Sequence, residues 1–169
     1  LVLTAQKDFL SLFTDEGLPA QWLPLFCRNA DKATPFEARD IPVAFVGTLG
    51  HKNNPGREVF LRNFRARHPL LMRSGDFFPI FRRSRIVLNQ TAFSEINFRC
   101  FEAMACGAAL LMERCENGLH ELFTPDENIL PLYPKDDAAA AASIASTYLA
   151  RPGRLAEIAE NGRRLVAEK

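Results

Sequence analysis

Two short stretches of this chain carry side chains that could do chemistry. The first is Ser94 to Glu113, "SEINFRCFEAMACGAALLME". It sets Glu95, Asn97, Arg99 and Glu102 at the head of a segment that otherwise reads as core. On a helix, Phe98, Phe101 and Ala105 share one face, expected to be buried, while Arg99, Glu102 and Cys106 share another. Two uses fit the Arg99–Glu102 neighbourhood. One is an ion pair within a helical turn, worth a few tenths of a kcal/mol. The other is an anion site. Arg99 sits early in the helix, where the macrodipole disfavours a cation. An anion held at the same helix end removes that objection, and Glu102, one turn further in, then accepts hydrogen bonds from a ribose diol.

The second stretch is "GTLGHKNNPGR", Gly47 to Arg57. Glycines between a strand and a helix N-terminus leave room for a phosphate to approach the backbone. Lys52 and Arg57 could neutralise a diphosphate there. An ordinary strand-to-helix turn accounts for the same residues. Neither G-x-G-x-x-G nor G-x-x-x-x-G-K-[ST] occurs, which excludes a standard dinucleotide fingerprint and a P-loop.

The elements that must hold these stretches follow from periodicity. Residues 1–27 read strand, short helix, strand, with a turn at Asp15 to Pro19. A polar, proline-bearing linker is expected from Arg28 to Pro42. "VAFVGTLG" is a continuous apolar run ending in glycines, the pattern of a buried parallel strand. Asn54 and Pro55 look like the cap and first residue of a helix with Val59, Phe60, Leu61 and Phe64 on its apolar side. "LLMRSG" and "RIVLNQT" read as strands, with a short helical turn opened by Asp76 between them. A helix from about Ile96 to Cys106 and the strand "AALLME" follow. A short helix, a short strand around Ile129 to Leu132, a helix opened by Asp136 and Asp137, and a final helix bent or broken at Asn161-Gly162 complete the chain. Strands alternating with helices predict an α/β fold: a Rossmann-like parallel sheet with helices on both faces.

Composition narrows the function classes. The chain has 169 residues, 47% apolar and 24% charged, with 21 basic against 20 acidic side chains. A net charge of +1 gives no global reason to seek nucleic acid or anionic lipid. The segment from Arg57 to Arg85 holds eight arginines against Glu58 and Asp76. It reads as a solvated face or as a basic rim near an anionic ligand. Cys27, Cys100, Cys106 and Cys115 lack zinc spacing and read as reduced thiols of a cytoplasmic protein. No metal-ligand spacing and no transmembrane run are present. His51, His68 and His120 have no nucleophile partner, so no catalytic triad is expected.

The runs "VAFVGTLG…R", "IVLN…INFRCFEAMACGAALLME", "LHELFTPDENILPLY" and "IASTYLARPGRLAEIAENGRRLV" resemble the C-terminal domain of GT-B glycosyltransferases of group-1 type. They are most similar to the CgeB-like branch. The resemblance covers Val43 to the end and implies a nucleotide-sugar-binding, Rossmann-like domain at 43–169. Residues 1–42 are then the end of an N-terminal domain plus the interdomain linker, and the chain a fragment, inactive alone, of a longer enzyme. It implies that the helix N-terminus and nearby basic groups meet the diphosphate, that Glu102 holds the ribose hydroxyls, and that Gly47 and Thr48 line the donor cleft. The expected site is Gly47, Thr48, Lys52, Arg57, Asn97, Arg99 and Glu102. No metal and no cofactor are expected; the nucleoside-diphosphate sugar is substrate, and the acceptor a glycan, protein or small molecule. Many retaining members carry two glutamates with seven residues between them. Glu95 and Glu102 have six, so Glu95 departs from the catalytic pattern.

Two rivals keep the fold and change the function. One is a non-catalytic α/β module that binds a partner protein through phenylalanines such as Phe77, Phe78 and Phe81. The other is a nucleotide-sugar epimerase.

Overall fold

The apolar runs form the inner strands of a parallel sheet. The computed structural model describes residues 1–27, 34–50, 52 and 54–168. Strand β1 (Val2–Thr4), helix α1 (Leu10–Thr14) and strand β2 (Ala20–Trp22) make a small parallel two-stranded unit. The predicted linker lies partly outside the described residues, as does His51. Its C-terminal end is already strand: β3 runs Ile41–Val46 and includes Pro42. Helix α2 (Gly56–Arg65), β4 (Leu71–Arg73), α3 (Phe78–Phe81) and β5 (Ser84–Asn89) follow. Then come α4 (Phe98–Ala105), β6 (Ala109–Met112), α5 (Leu119–Leu122), α6 (Ala138–Leu149) and α7 (Pro152–Glu168).

The main sheet has the order β4-β3-β5-β6, all parallel. Alternation along its strands sorts side chains into two cores. Val43, Phe45, Ile86, Leu88 and Leu111 pack with α2, α6 and α7 on one face. Val46, Val87, Leu110 and Met112 pack with α3, α4 and α5 on the other. Burying a residue such as Phe64 or Leu110 contributes about 1.5–3 kcal/mol. Aspartate caps α6 as expected, whereas α3 has Phe77 as its N-cap and Asp76 only binds an amide of the entering turn. Asp137 accepts from the amides of Ala139 and Ala140, and Asp76 from that of Phe78.

Several local expectations are corrected. Val59 is exposed; only Phe60, Leu61 and Phe64 of α2 face the core. Asn54 does not cap α2, because its side chain is buried against Gln90. No strand forms at Ile129–Leu132, where β-bridges Pro125–Ile129 and Glu113–Tyr133 bracket an extended segment. Helix α7 is unbroken. Gly162 is there for contact, since a Cβ would lie 2.6 Å from the Asn128 carbonyl oxygen. Phe98 is 52% exposed, so of the three residues assigned to the core face of α4 only Phe101 and Ala105 are buried.

Candidate functional site

The residues that leave β3, β5 and β6 at their C-terminal ends form one polar floor. In open parallel sheets this edge is where ligands bind. Asn89, Gln90 and Thr91 leave β5, and Glu113 leaves β6; all four are buried. A buried polar group needs a partner, and most of these have several. The Asn89 Oδ1 accepts from Arg99 Nη1 at 2.7 Å and from Asn97 Nδ2 at 3.3 Å. The Asn89 carbonyl accepts from the Tyr133 hydroxyl. Gln90 Oε1 accepts from Asn54 Nδ2 at 2.9 Å and Arg57 Nε at 3.0 Å. Gln90 Nε2 donates to Asp136 Oδ1 at 3.2 Å. The Thr91 amide and hydroxyl both donate to Glu113 Oε1, while among the described residues Glu113 Oε2 is buried without a partner.

Two arginines stand on this floor. The Arg57 and Arg99 guanidinium carbons lie 5.5 and 4.6 Å from the centre of the Phe45 ring. Arg57 Nη1 donates to the Thr48 carbonyl at 2.8 Å, and Arg99 Nε to the Val46 carbonyl at 2.9 Å. Among the described residues neither forms an ion pair with a carboxylate. Burial, and then the like charge of Arg57, lower the Arg99 pKa to about 10. Burial also lowers that of Arg57, opposed by the charges of Glu95 and Glu113. Gly47 is what admits Arg99: a Cβ there would stand 2.4 Å from Nη2. Two cations held together with no ion-paired carboxylate among the described residues favour an anionic ligand, and guanidinium forks match phosphate oxygens.

The structure brings Gly47, Thr48, Arg57, Asn97 and Arg99 together at this edge. Asn97 occupies the residue before α4, but its side chain turns to Asn89 and makes no cap bond. Lys52 is exposed on the loop after β3. Glu102 is half-buried on α4 and does not pair with Arg99, whose donors point to the floor. Burial raises the Glu102 pKa, with Arg99 opposing. Glu95 serves its own loop, its Oε2 accepting the Phe93 amide at 2.7 Å. His120 is exposed.

Sequence reasoning missed Asn89, Gln90, Thr91, Glu113 and Tyr133. The signal for the first three was present in "LNQT", where an apolar strand ends in three polar residues. Among the described residues, no three His, Cys, Asp or Glu side chains are placed to hold a metal, and the four cysteines are free. Among the described residues, no helix is long and apolar enough to cross a membrane.

Solved structures share this fold. Sucrose-phosphate synthase from Thermosynechococcus elongatus superposes with a TM-score of 0.78 at 16% identity, over 99% of this chain and 53% of the synthase. Anabaena Alr3699/HepE, crystallised with UDP, gives 0.77 at 13% identity over 99% of this chain and 59% of that one. The C-terminal domain of the group 1 glycosyl transferase LpcC from Francisella tularensis gives 0.57 at 12% identity, covering 99% of this chain and 94% of that domain. The chain thus spans just over half the length of the first two proteins. At these identities the likeness shows the fold, that of the GT-B glycosyltransferases. No curated protein sequence matches the chain. A family model does: residues 26–169 match the glycosyl transferase-like family, and the chain belongs to it.

Proposed function

We propose that this chain is the donor-binding part of a metal-independent GT-B glycosyltransferase. In this reading the enzyme moves a sugar from a nucleoside-diphosphate sugar to an acceptor, and its nearest kin are the CgeB-like proteins. The observation that carries the reading is the Arg57–Arg99 pair, without an ion pair among the described residues, at the C-terminal edge of the sheet beside Gly47. When the sugar leaves, negative charge develops on the departing diphosphate. Fixed guanidinium groups stabilise that charge without reorganising. Lys52, exposed on the neighbouring loop, adds a mobile cation, and Thr48 and Asn97 border the same edge. Glu102 is the group assigned to the ribose hydroxyls. Glu95 is occupied by its own loop, so no catalytic side chain is assigned to this chain. Domain 43–169 holds the donor, with residues 1–42 as the end of a preceding domain and its linker. The donor is substrate, and no cofactor is invoked. Four free cysteines suit a reducing, cytoplasmic setting.

The partner-module rival keeps only part of the surface it names, because Phe78 is 39% exposed and Phe77 half-buried. Phe81 is fully buried, and Phe77 packs on it at 5.3 Å and on Phe78 at 6.4 Å. Epimerisation would use the same donor site, and analysis of the products separates it from transfer.

The reading is tested by titrating UDP, GDP and ADP into the chain by NMR or calorimetry. At least one is expected to shift signals of residues 47–57 and 97–102. Glu102→Ala should weaken that nucleotide about three- to tenfold, the range of a lost hydrogen bond or two, and leave the fold intact. A folded chain that binds none of the three overturns the reading. Unfolding of Glu102→Ala would make the glutamate structural.

A further inference from the structure

The loop that leads from β5 into α4 carries the residues nearest the arginine pair, and one hydrogen bond ties it to the small N-terminal unit. Gln6 Nε2 donates to the Ile96 carbonyl at 3.1 Å, across 90 positions of sequence. That carbonyl belongs to the peptide just before Asn97, so its orientation sets the backbone where α4 begins. The direction of the Gln6 amide is fixed in turn. The Asp8 backbone amide donates to Asn117 Oδ1 at 3.2 Å, so Asn117 must present Nδ2 to its other neighbour. Asn117 Nδ2 donates to Gln6 Oε1, which leaves Gln6 Nε2 facing Ile96. The relay therefore has one consistent sense from Asp8 through Asn117 and Gln6 to Ile96. Gln6 is itself held, its amide donating to Thr4 Oγ1 at 3.2 Å.

The socket for this relay holds two successive residues in the left-handed region. Asn117 is buried with φ of 40°, a region disfavoured for residues with a Cβ. Gly118 follows at φ of 76°, and a Cβ on it would lie 2.6 Å from the Trp22 ring. Lys7 lies over the same ring at 5.2 Å and pairs with Glu121 at the exposed rim.

We infer that Gln6, oriented by Asn117, is a positioning residue for the donor site: it holds the Ile96–Asn97 peptide so that Asn97 and Arg99 meet Asn89. The inference rests on the donor-site reading above. It makes docking of the β1–β2 unit and occupancy of the site two states of one linked system, each favouring the other.

The test compares Gln6→Ala, Asn117→Gly, the double variant and Lys7→Ala. Two readouts are taken: UDP affinity, and hydrogen exchange of the Cys100 amide, which bonds to the Asn97 carbonyl at 3.1 Å. Gln6→Ala and Asn117→Gly should each weaken UDP about tenfold, within the usual range of such couplings, and speed Cys100 exchange without UDP. The double variant should be no worse than the weaker single one, because both break one relay. Lys7→Ala, which breaks the exposed pair with Glu121 and the contact over the Trp22 ring but no bond of the relay, should change neither readout. Glycine at 117 relaxes the left-handed backbone, so a purely structural role predicts an equal or higher Tm and unchanged affinity. UDP affinity within twofold of the wild type in both single variants, or unchanged Cys100 exchange, overturns the inference. If the wild type binds GDP or ADP instead, that nucleotide replaces UDP in the test; if it binds none of the three, the donor reading falls, and the exchange experiment alone then decides whether Gln6 holds the loop.

Discussion

Among the described residues, an arginine without an ion pair stands at each end of helix α4, and the two are treated in opposite ways. At its C-terminal end sits Arg39, only 2% exposed. Its Nη1 donates to the carbonyls of Phe81 and Ser84 at 3.2 and 2.8 Å. Its Nη2 donates to those of Thr34 and Cys106 at 3.1 and 2.7 Å. Phe81 closes α3 and Cys106 follows α4, so the cation meets the negative ends of two helix dipoles. At the other end Arg99 faces the positive end of α4 and the like charge of Arg57. Among the described residues its Nη2 has no hydrogen bond, and it stands over Gly47. Burial brings both guanidinium pKa values down to about 10. The difference lies in the partners. Both Nη groups of Arg39 are taken up by carbonyls, and among the described residues only its buried Nε lacks a partner, whereas Arg99 presents a whole Nη group for something else to satisfy. A cation placed against a dipole and beside another cation lowers stability, which is the usual mark of a site arranged for a ligand.

Removing each arginine should break the comparison in its own direction. Arg39→Met leaves four carbonyl oxygens without their donor, and each buried unsatisfied group costs about 1–3 kcal/mol. A loss of about 3 kcal/mol or more in urea unfolding is expected, the largest effect among these changes. Arg39→Lys should recover little of it, because an ammonium lacks the fork that reaches four acceptors. Arg99→Met should leave stability within about 1 kcal/mol of the wild type, because the lost bonds are offset by relief of dipole and charge repulsion. Its effect belongs to binding. Loss of a charge-assisted contact to phosphate, about 1.5–3 kcal/mol, should weaken UDP roughly ten- to 100-fold. If Arg99→Met instead unfolds the chain while Arg39→Met does not, the roles assigned here are reversed.

The sequence showed one of these arginines and hid the other. Arg99 was visible because a helical reading places a cation in the wrong half of a dipole. Arg39 lay in a stretch read as polar linker, and nothing local reveals that Phe81, Ser84 and Cys106 converge on it. The same contrast runs through the fold. The buried strands and their parallel order were legible because continuous apolar runs ending in glycine or polar residues have few other uses. The strand expected at Ile129 was an apolar run that found bridges instead of a ladder. Phe98 was assigned to the core by periodicity, yet the first residue of α4 lies beyond the sheet edge and stays exposed. Asn89 and Glu113 were unread because a polar residue at a strand end gains meaning only when the neighbouring strand ends are in view.

Gly47→Ala sharpens the contrast without touching an arginine. The substitution asks for no unusual backbone, so its effect is steric. The new methyl would stand 2.4 Å from Arg99 Nη2, and the guanidinium must move off the Phe45 ring. UDP affinity should fall about tenfold, near the low end of losing Arg99 altogether, with stability changed by no more than about 1 kcal/mol. A crystal structure or NMR signals from the arginine side chains would report the displacement. Unchanged affinity with a displaced Arg99 would remove Arg99 from the site.

The smallest effect is expected at Glu113, whose buried Oε2 has no partner among the described residues. Burial is the main cause that pushes its carboxyl above the ordinary glutamate range; Asp136 adds to this, while Thr91 and Lys135 oppose it. The folded chain therefore holds this proton more readily than the unfolded chain does. As pH rises from the ordinary glutamate range through the folded pKa, the wild type should lose stability, and above that value the loss is complete. Glu113→Gln has no proton to lose at this position, and its amide keeps an acceptor oxygen for Thr91. Its stability relative to the wild type should rise across the same window and then level off. Urea midpoints measured for both proteins between about pH 4 and pH 7 decide the matter. Parallel curves would mean that folding leaves the Glu113 carboxyl unshifted, and that its second oxygen has found a donor, as the carbonyls around Arg39 have.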